Sequence, residues 1–170
     1  ISFMMLFSAC TENNSQEKLS DRPIEDPEHH IKDSKDITKY DSTVLYTGWY
    51  YVIDTSNGFK RTLDKSTETY FIDRNPIVTS NNFTELEIYE TSGTPKYLGL
   101  SIRFDKEGTE NWSVATKKSV GKKLAFILDN RLLQVAEVNS QITGGVSALN
   151  RGDYSKSELE KFITIIESEK

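Results

Sequence analysis

Alternation of apolar and polar positions recurs along residues 43–170 and sets most of the expected elements. Trp49-Tyr50-Tyr51-Val52-Ile53, preceded by Val44-Leu45-Tyr46, is β-branched and aromatic and reads as strand. Ser56-Asn57-Gly58 marks a turn. Thr69-Tyr70-Phe71-Ile72 is a second short strand. Asn75-Pro76 interrupts it, and Ile77-Val78-Thr79 resumes in extended form, because a residue before proline avoids the helical region. Phe83, Glu85, Glu87 and Tyr89 alternate with Leu86 and Ile88, and the alternation returns at Leu98, Leu100, Ile102 and Phe104. With Ser92-Gly93-Thr94-Pro95 between the two runs, the spacing predicts a hairpin over 83–104.

The period then changes from two to that of a helix. Over 106–120, Trp112, Ala115, Thr116 and Ser119 fall on one side. Lys117 and Lys118 complement the negative end of that helix, and Gly121 suits the position just beyond it. Leu124-Ala125-Phe126-Ile127-Leu128 reads as a buried strand, Asp129-Asn130 as a tight turn and Leu132-Leu133-Gln134-Val135 as the return. In the following Gln141–Val146 stretch, Gly144 and Gly145 mark a place needing positive φ or close chain approach. A last helix opens at Ser155, with Glu158 three residues on as in a capping box, and buries Leu159, Phe162, Ile163 and Ile166. The expected fold is α+β: an antiparallel sheet with two helices packed mainly on one face.

The N-terminal quarter follows different rules. Phe3-Met4-Met5-Leu6-Phe7-Ser8-Ala9-Cys10 is an apolar run, two small residues and the chain's single cysteine. This resembles a bacterial lipoprotein signal: small residues fit the peptidase site, and the thiol accepts the diacylglycerol. Residues 1–9 are expected to be a truncated signal peptide and Cys10 the lipidation site. Ten residues are too few for a membrane span, so membrane attachment is expected through lipid on Cys10. Residues 10–42 read as lipidated Cys and disordered tether: apolar residues are sparse, and Pro23 and Pro27 interrupt any helix. Thr11 is not the aspartate of an inner-membrane retention signal. The expected location is therefore the bacterial cell envelope, with the outer membrane preferred, facing the periplasm or cell surface.

Charge and composition narrow the chemistry. The net charge is −5, which argues against nucleic acid as a partner, since that binding rests on Lys and Arg neutralising phosphates. With one cysteine consumed by lipid, the domain of residues 43–170 is held by its core alone. The only histidines, His29 and His30, lie in the tether, where a real metal site would lack a rigid frame. No Ser-His-Asp set and no thiol nucleophile fall within 43–170, so no catalytic, cofactor or metal residue is assigned. Paired carboxylates remain open as a hydrolase alternative. Arg151-Gly152-Asp153 reads as a turn before the last helix.

Three stretches together carry a family likeness. They are Ser101-Ile102-Arg103-Phe104-Asp105-Lys106-Glu107-Gly108 with Trp112 and Thr116; Gly121-Lys122-Lys123-Leu124 through Asp129-Asn130; and Ile142-Thr143-Gly144-Gly145 with Gly152, Tyr154-Ser155 and Glu158-Leu159. Asp73 to Thr79 fits as a lead-in. In order and spacing they resemble the periplasmic head domain of SecD, the accessory subunit of the bacterial Sec protein-export machinery. Asn130 stands where that family usually has glycine, and Ala136 and Gln141 replace prolines. SecD's transmembrane helices have no counterpart in the sequence, so the proton-coupled pulling they support is not implied. The resemblance implies a non-enzymatic domain that holds or guides polypeptide outside the membrane. An uncovered sheet edge would add an extended peptide as another strand. The candidate polypeptide-binding residues are Tyr46, Trp49 and Tyr51 as an aromatic platform, with Glu87 and Arg103 at a sheet edge. A structural or assembly lipoprotein docking on a folded envelope partner is the alternative.

Overall fold

A computed structural model describes residues 44–54 and 57–170. The expected signal peptide, Cys10, the tether and both histidines lie outside the described residues. The elements are β1 (Gly48–Ile53), β2 (Phe59–Thr62), β3 (Thr69–Thr79), β4 (Phe83–Glu90), β5 (Leu98–Phe104), α1 (Lys106–Lys118), β6 (Lys123–Leu128), β7 (Arg131–Glu137), β8 (Val146–Leu149) and α2 (Lys156–Ser168). The class is α+β.

The strands form two sheets rather than one. The first has the order β2-β3-β1-β6-β7, the second β4-β5-β8, and all pairings within them are antiparallel. The split follows from a single 3-10 turn, Ser80–Asn82, which carries the chain out of β3 and starts β4 away from it. The sheets are then joined by side chains.

The five-stranded sheet curls until its two outer strands meet. Leu63, just past β2, bridges Leu132 at the start of β7, and the Asp64 amide donates to the Leu132 carbonyl at 2.8 Å. Both faces of the sheet are therefore buried, and successive residues of β6 alternate between two cores. Ala125 and Ile127 face inward with Tyr50, Ile72, Leu132 and the plug residue Leu45. Leu124, Phe126 and Leu128 face outward with Trp49, Val78 and Leu133. This explains why β6 is apolar without interruption, as strands covered on both faces are.

The outward core is completed by the second layer. Leu100, Ile102 and Phe104 come from β5, Leu149 from β8, Trp112 from α1, and Leu159, Phe162 and Ile166 from α2. Both helices thus bury their apolar stripes on the same side of the curled sheet. Trp49 is central, with ring centroids 5.1 Å from Trp112 and 5.3 Å from Phe126.

Local signals shape the ends of the elements. Asp105 caps α1 by accepting from the Gly108 amide at 2.6 Å, and Ser155 and Glu158 form the capping box of α2. Asp129 and Asn130 both take positive φ (45° and 61°), the backbone of a two-residue hairpin turn. Asparagine serves there because its short polar side chain tolerates the left-handed region.

Three differences from the expected elements have simple causes. Residues 44–46 are not strand: Leu45 plugs the inner core while its amide donates to Asn130 Oδ1 at 3.0 Å. Residues 69–79 form one strand through Pro76, because β2 covers only 69–72 and the register with β1 shifts beside the proline. Short β2 and β8, with four residues each, were not expected as separate strands.

Candidate functional site

A sheet edge leaves main-chain groups on one side without a strand partner. Two such edges lie near each other where the sheets adjoin. In the strand orders β7 is last in one sheet and β8 last in the other. They do not pair. Instead the Gln134 side chain fills the gap: its amide donates to the Ala148 carbonyl at 2.8 Å, and its carbonyl oxygen accepts from the Asn150 amide at 2.8 Å. One buried side chain thus makes the two bonds that a neighbouring strand would make.

Alongside Gln134 the gap widens into a slot of about 280 Å³. Trp49, Trp112 and Leu124 contribute apolar lining, and Glu137, Asn139 and Ser140 contribute polar lining. The Trp49 indole N–H donates to Ser147 Oγ at 2.9 Å, whereas the Trp112 N–H is buried without an acceptor.

The second open element is β4, the outer strand of its sheet and eight residues long. Leu86 and Ile88 are half-buried against the core, while Glu85 and Glu87 are exposed. Glu85 pairs with Arg103 at 2.9 Å and Glu90 with Lys96 at 2.7 Å, both in solvent. Among the described residues Glu87 has no ion-pair partner.

The five expected binding residues do not form one surface. Glu87 is at an edge. Arg103 is not: β5 is the central strand of its sheet, with β4 on one side and β8 on the other, and that placement is corrected. The candidate role of Trp49 as a platform ring on the surface is also corrected: the residue is only 2% exposed and packs in the core, the alternative open to each ring of that cluster. Trp49 sits in the outward core because its strand neighbours Gly48 and Tyr50 leave it on the face that receives α1. Tyr46 is 64% exposed and lies beside Thr79, Ser80, Asn81 and Glu169. Tyr51 is half-buried at the margin of the core, and burial raises its phenol pKa, with Asp73 adding to the effect. Buried Tyr50 donates to the Tyr46 carbonyl at 2.8 Å, and burial pushes its hydroxyl up to about 12.

Gly145 has φ +65°, and a Cβ there would stand 2.3 Å from Thr109 Oγ1. Its carbonyl accepts from the Phe104 amide at 2.9 Å. Gly144 has open space around it, so close chain approach belongs to Gly145 alone and the expectation for Gly144 is corrected.

Sequence reasoning missed a polar clamp around Asp64. Arg131 Nη2 donates to Asp64 Oδ1 at 2.9 Å, and the Tyr154 hydroxyl to Oδ2 at 3.2 Å. Arg151 Nη1 donates to the carbonyls of Asp64 and Leu133 at 3.0 and 2.9 Å. Arg151 is thereby committed inward, and the Arg151-Gly152-Asp153 turn is a fastening. Burial, then the Asp64 charge, raises the Tyr154 pKa. Lys65 and the Ser155 amide and hydroxyl hold exposed Glu158 down from 4.5 to about 2. Among the described residues no group of three His, Cys, Asp or Glu side chains could hold a metal ion, and no helix is long and apolar enough to cross a membrane.

Comparison with known proteins gives a consistent picture. Residues 56–168 match the family model described as SecDF, P1 head subdomain. Protein translocase subunit SecD of Rickettsia bellii is 39% identical over 56 residues, covering 33% of this chain and 11% of that protein. The Acetobacter pasteurianus subunit is 36% identical over 53 residues, covering 31% and 10%. Protein translocase subunit SecDF of Thermus thermophilus is 27% identical over 94 residues, covering 55% and 12%. The chain spans about a tenth of the length of these relatives. Among solved structures, a SecDF membrane component that enhances protein export superposes with a TM-score of 0.55 at 17% identity, covering 75% of this chain and 64% of that one. SecDF in a super-membrane-facing form gives 0.51 at 22% identity, covering 58% and 13%. At these identities the structures speak for the fold.

Proposed function

The chain belongs to the SecDF P1 head subdomain family, and from that membership we propose that it binds extended polypeptide in the bacterial cell envelope in support of protein export. The observation that carries the reading is β4, an eight-residue strand with a partner on one side only. Such an edge bonds an added strand through the main chain and so accepts many sequences. That tolerance suits a domain meeting different exported chains. The half-buried Leu86 and Ile88 offer apolar contact, and the charged Glu85, Glu87 and Glu90 keep the edge from pairing with a second copy of itself. Nothing in the reading requires catalysis, and two of the acids serve as fastenings: Asp64 is held by Arg131 and Tyr154, and Glu158 by Lys65 and Ser155. Tyr46 is proposed as an accessory contact because its ring is exposed. Tyr51 is proposed with it as a half-exposed one.

Attachment to the envelope is proposed through lipid on Cys10, supported by the Ser8-Ala9-Cys10 pattern, with the outer membrane preferred because Thr11 follows. Such a domain would face the periplasm or cell surface.

Titration calorimetry with unstructured peptides tests the binding. Saturable binding that is lost in a Glu87→Pro variant retaining its helical circular dichroism signal is expected, since the proline breaks the Glu87–Ser101 pairing and bends the edge strand. Binding of equal strength in that variant would contradict placement at β4. Absence of binding would favour the second reading, docking on a folded envelope partner.

A further inference from the structure

The slot between β7 and β8 has a composition more selective than a bare edge requires. Its volume of about 280 Å³ lies just below the range of small-molecule sites, about 300 to 1,000 Å³. That is room for one large side chain. Two indoles and Leu124 contribute an apolar lining. On either side stand β7 and β8, each with one strand neighbour, so an entering segment could bond by its main chain while its side chain goes down. Gln134 already satisfies the Ala148 carbonyl and the Asn150 amide, so those two groups are not free to bond an entering segment.

Charge fixes the neighbour of that side chain. Among the described residues Glu137 is the only charged one lining the slot. Its cross-strand partner is Lys123, whose ammonium lies 5.4 Å from the Tyr70 ring centroid instead. No described cation pairs with Glu137.

We propose that the slot binds an extended peptide through a large apolar side chain seated on Trp49 and Trp112, with an adjacent Lys or Arg of the peptide paired to Glu137. This rests on the polypeptide reading above and adds to it a sequence preference at a second place on the domain.

The chain has two tryptophans, and both line the slot, so tryptophan emission reports on the slot and on the core packed behind it. The probe is a short capped peptide of Ser and Thr with a central Phe-Lys, compared with the same peptide carrying Phe-Glu or Ala-Lys, titrated into the whole chain. A saturable emission change is expected for Phe-Lys, with affinity about fivefold weaker for Phe-Glu, the size of a favourable exposed ion pair, and no change for Ala-Lys. Glu137→Lys, an exposed position, should reverse the order of Phe-Lys and Phe-Glu. Ala148→Leu, which narrows the slot, should abolish the change. No saturable change with Phe-Lys, or a preference that survives Glu137→Lys, overturns the proposal. Peptide binding that depends on Glu87 while tryptophan emission stays constant overturns the slot and leaves the β4 reading intact. Emission changes that persist in Glu87→Pro support the slot when the β4 reading fails.

Discussion

The two cores of the curled sheet are built from the same strands and end differently. The inner one is sealed by the chain itself: Leu63 reaches Leu132, Leu45 plugs the end, and Ala125 and Ile127 are wholly buried. The outer one is sealed by imported parts, namely two helices and a second sheet. Closing a sheet on itself removes an edge, whereas leaning two sheets together leaves edges over. Here the leftovers are β4, β8 and the part of β7 beyond Leu132, and the proposed binding surfaces lie on them. Stability and function are thus expected to separate by face.

The largest test of that separation is Phe126→Ala. The ring is fully buried and touches both Trp49 and Phe83. Its loss should cost about 3–5 kcal/mol in denaturant unfolding and also disturb tryptophan emission. Ile72→Ala, in the sealed core, should cost about 2–5 kcal/mol yet leave tryptophan emission and peptide affinity unchanged. If Ile72→Ala altered both, the two cores would not be independent. Gln134→Ala sharpens the boundary between them. It strands the Ala148 carbonyl and the Asn150 amide, at a cost of about 1–3 kcal/mol, and lengthens the free part of β8 so that peptide affinity at the slot should rise.

Smaller effects belong to the α2 fastening. Ser155→Ala removes its cap and should lower stability by about 1 kcal/mol. Glu158 adds a pH signature. Its folded pKa is about 2 against an ordinary 4.5, so its stabilising contribution is complete above about 4.5 and is lost as the pH falls toward 2. Acid unfolding of Glu158→Gln should lack that component, as followed by circular dichroism, and binding at neutral pH should be unaffected.

How far the sequence revealed this depended on whether a signal was local. The hairpin over 83–104, the Ser155–Glu158 capping box and the Asp129-Asn130 turn rest on neighbours in the chain, and they were legible. The uninterrupted apolar run of β6 pointed to burial on both faces but could not say what covered each one. The division into two sheets depends on one short turn at Ser80–Asn82, which carries no distinctive pattern. Trp49 and Tyr51 alternate within a single strand, and only knowledge of which face receives α1 tells a core ring from a marginal one. Gln134 and Arg151 were invisible for a similar reason: their partners lie 14 to 18 or more residues away and are mainly backbone atoms that every sequence possesses. Arg103 was placed at an edge because a hairpin has two strands, while the third, β8, was too short to announce itself.

The most direct test of polypeptide binding at β4 is in-cell photocrosslinking from Glu87, with Arg103 as the control on the central strand of the same sheet. Capture of many different exported chains from Glu87, and far fewer from Arg103, is the predicted result. Equal capture from both positions, or recovery of one folded envelope protein alone, would contradict it.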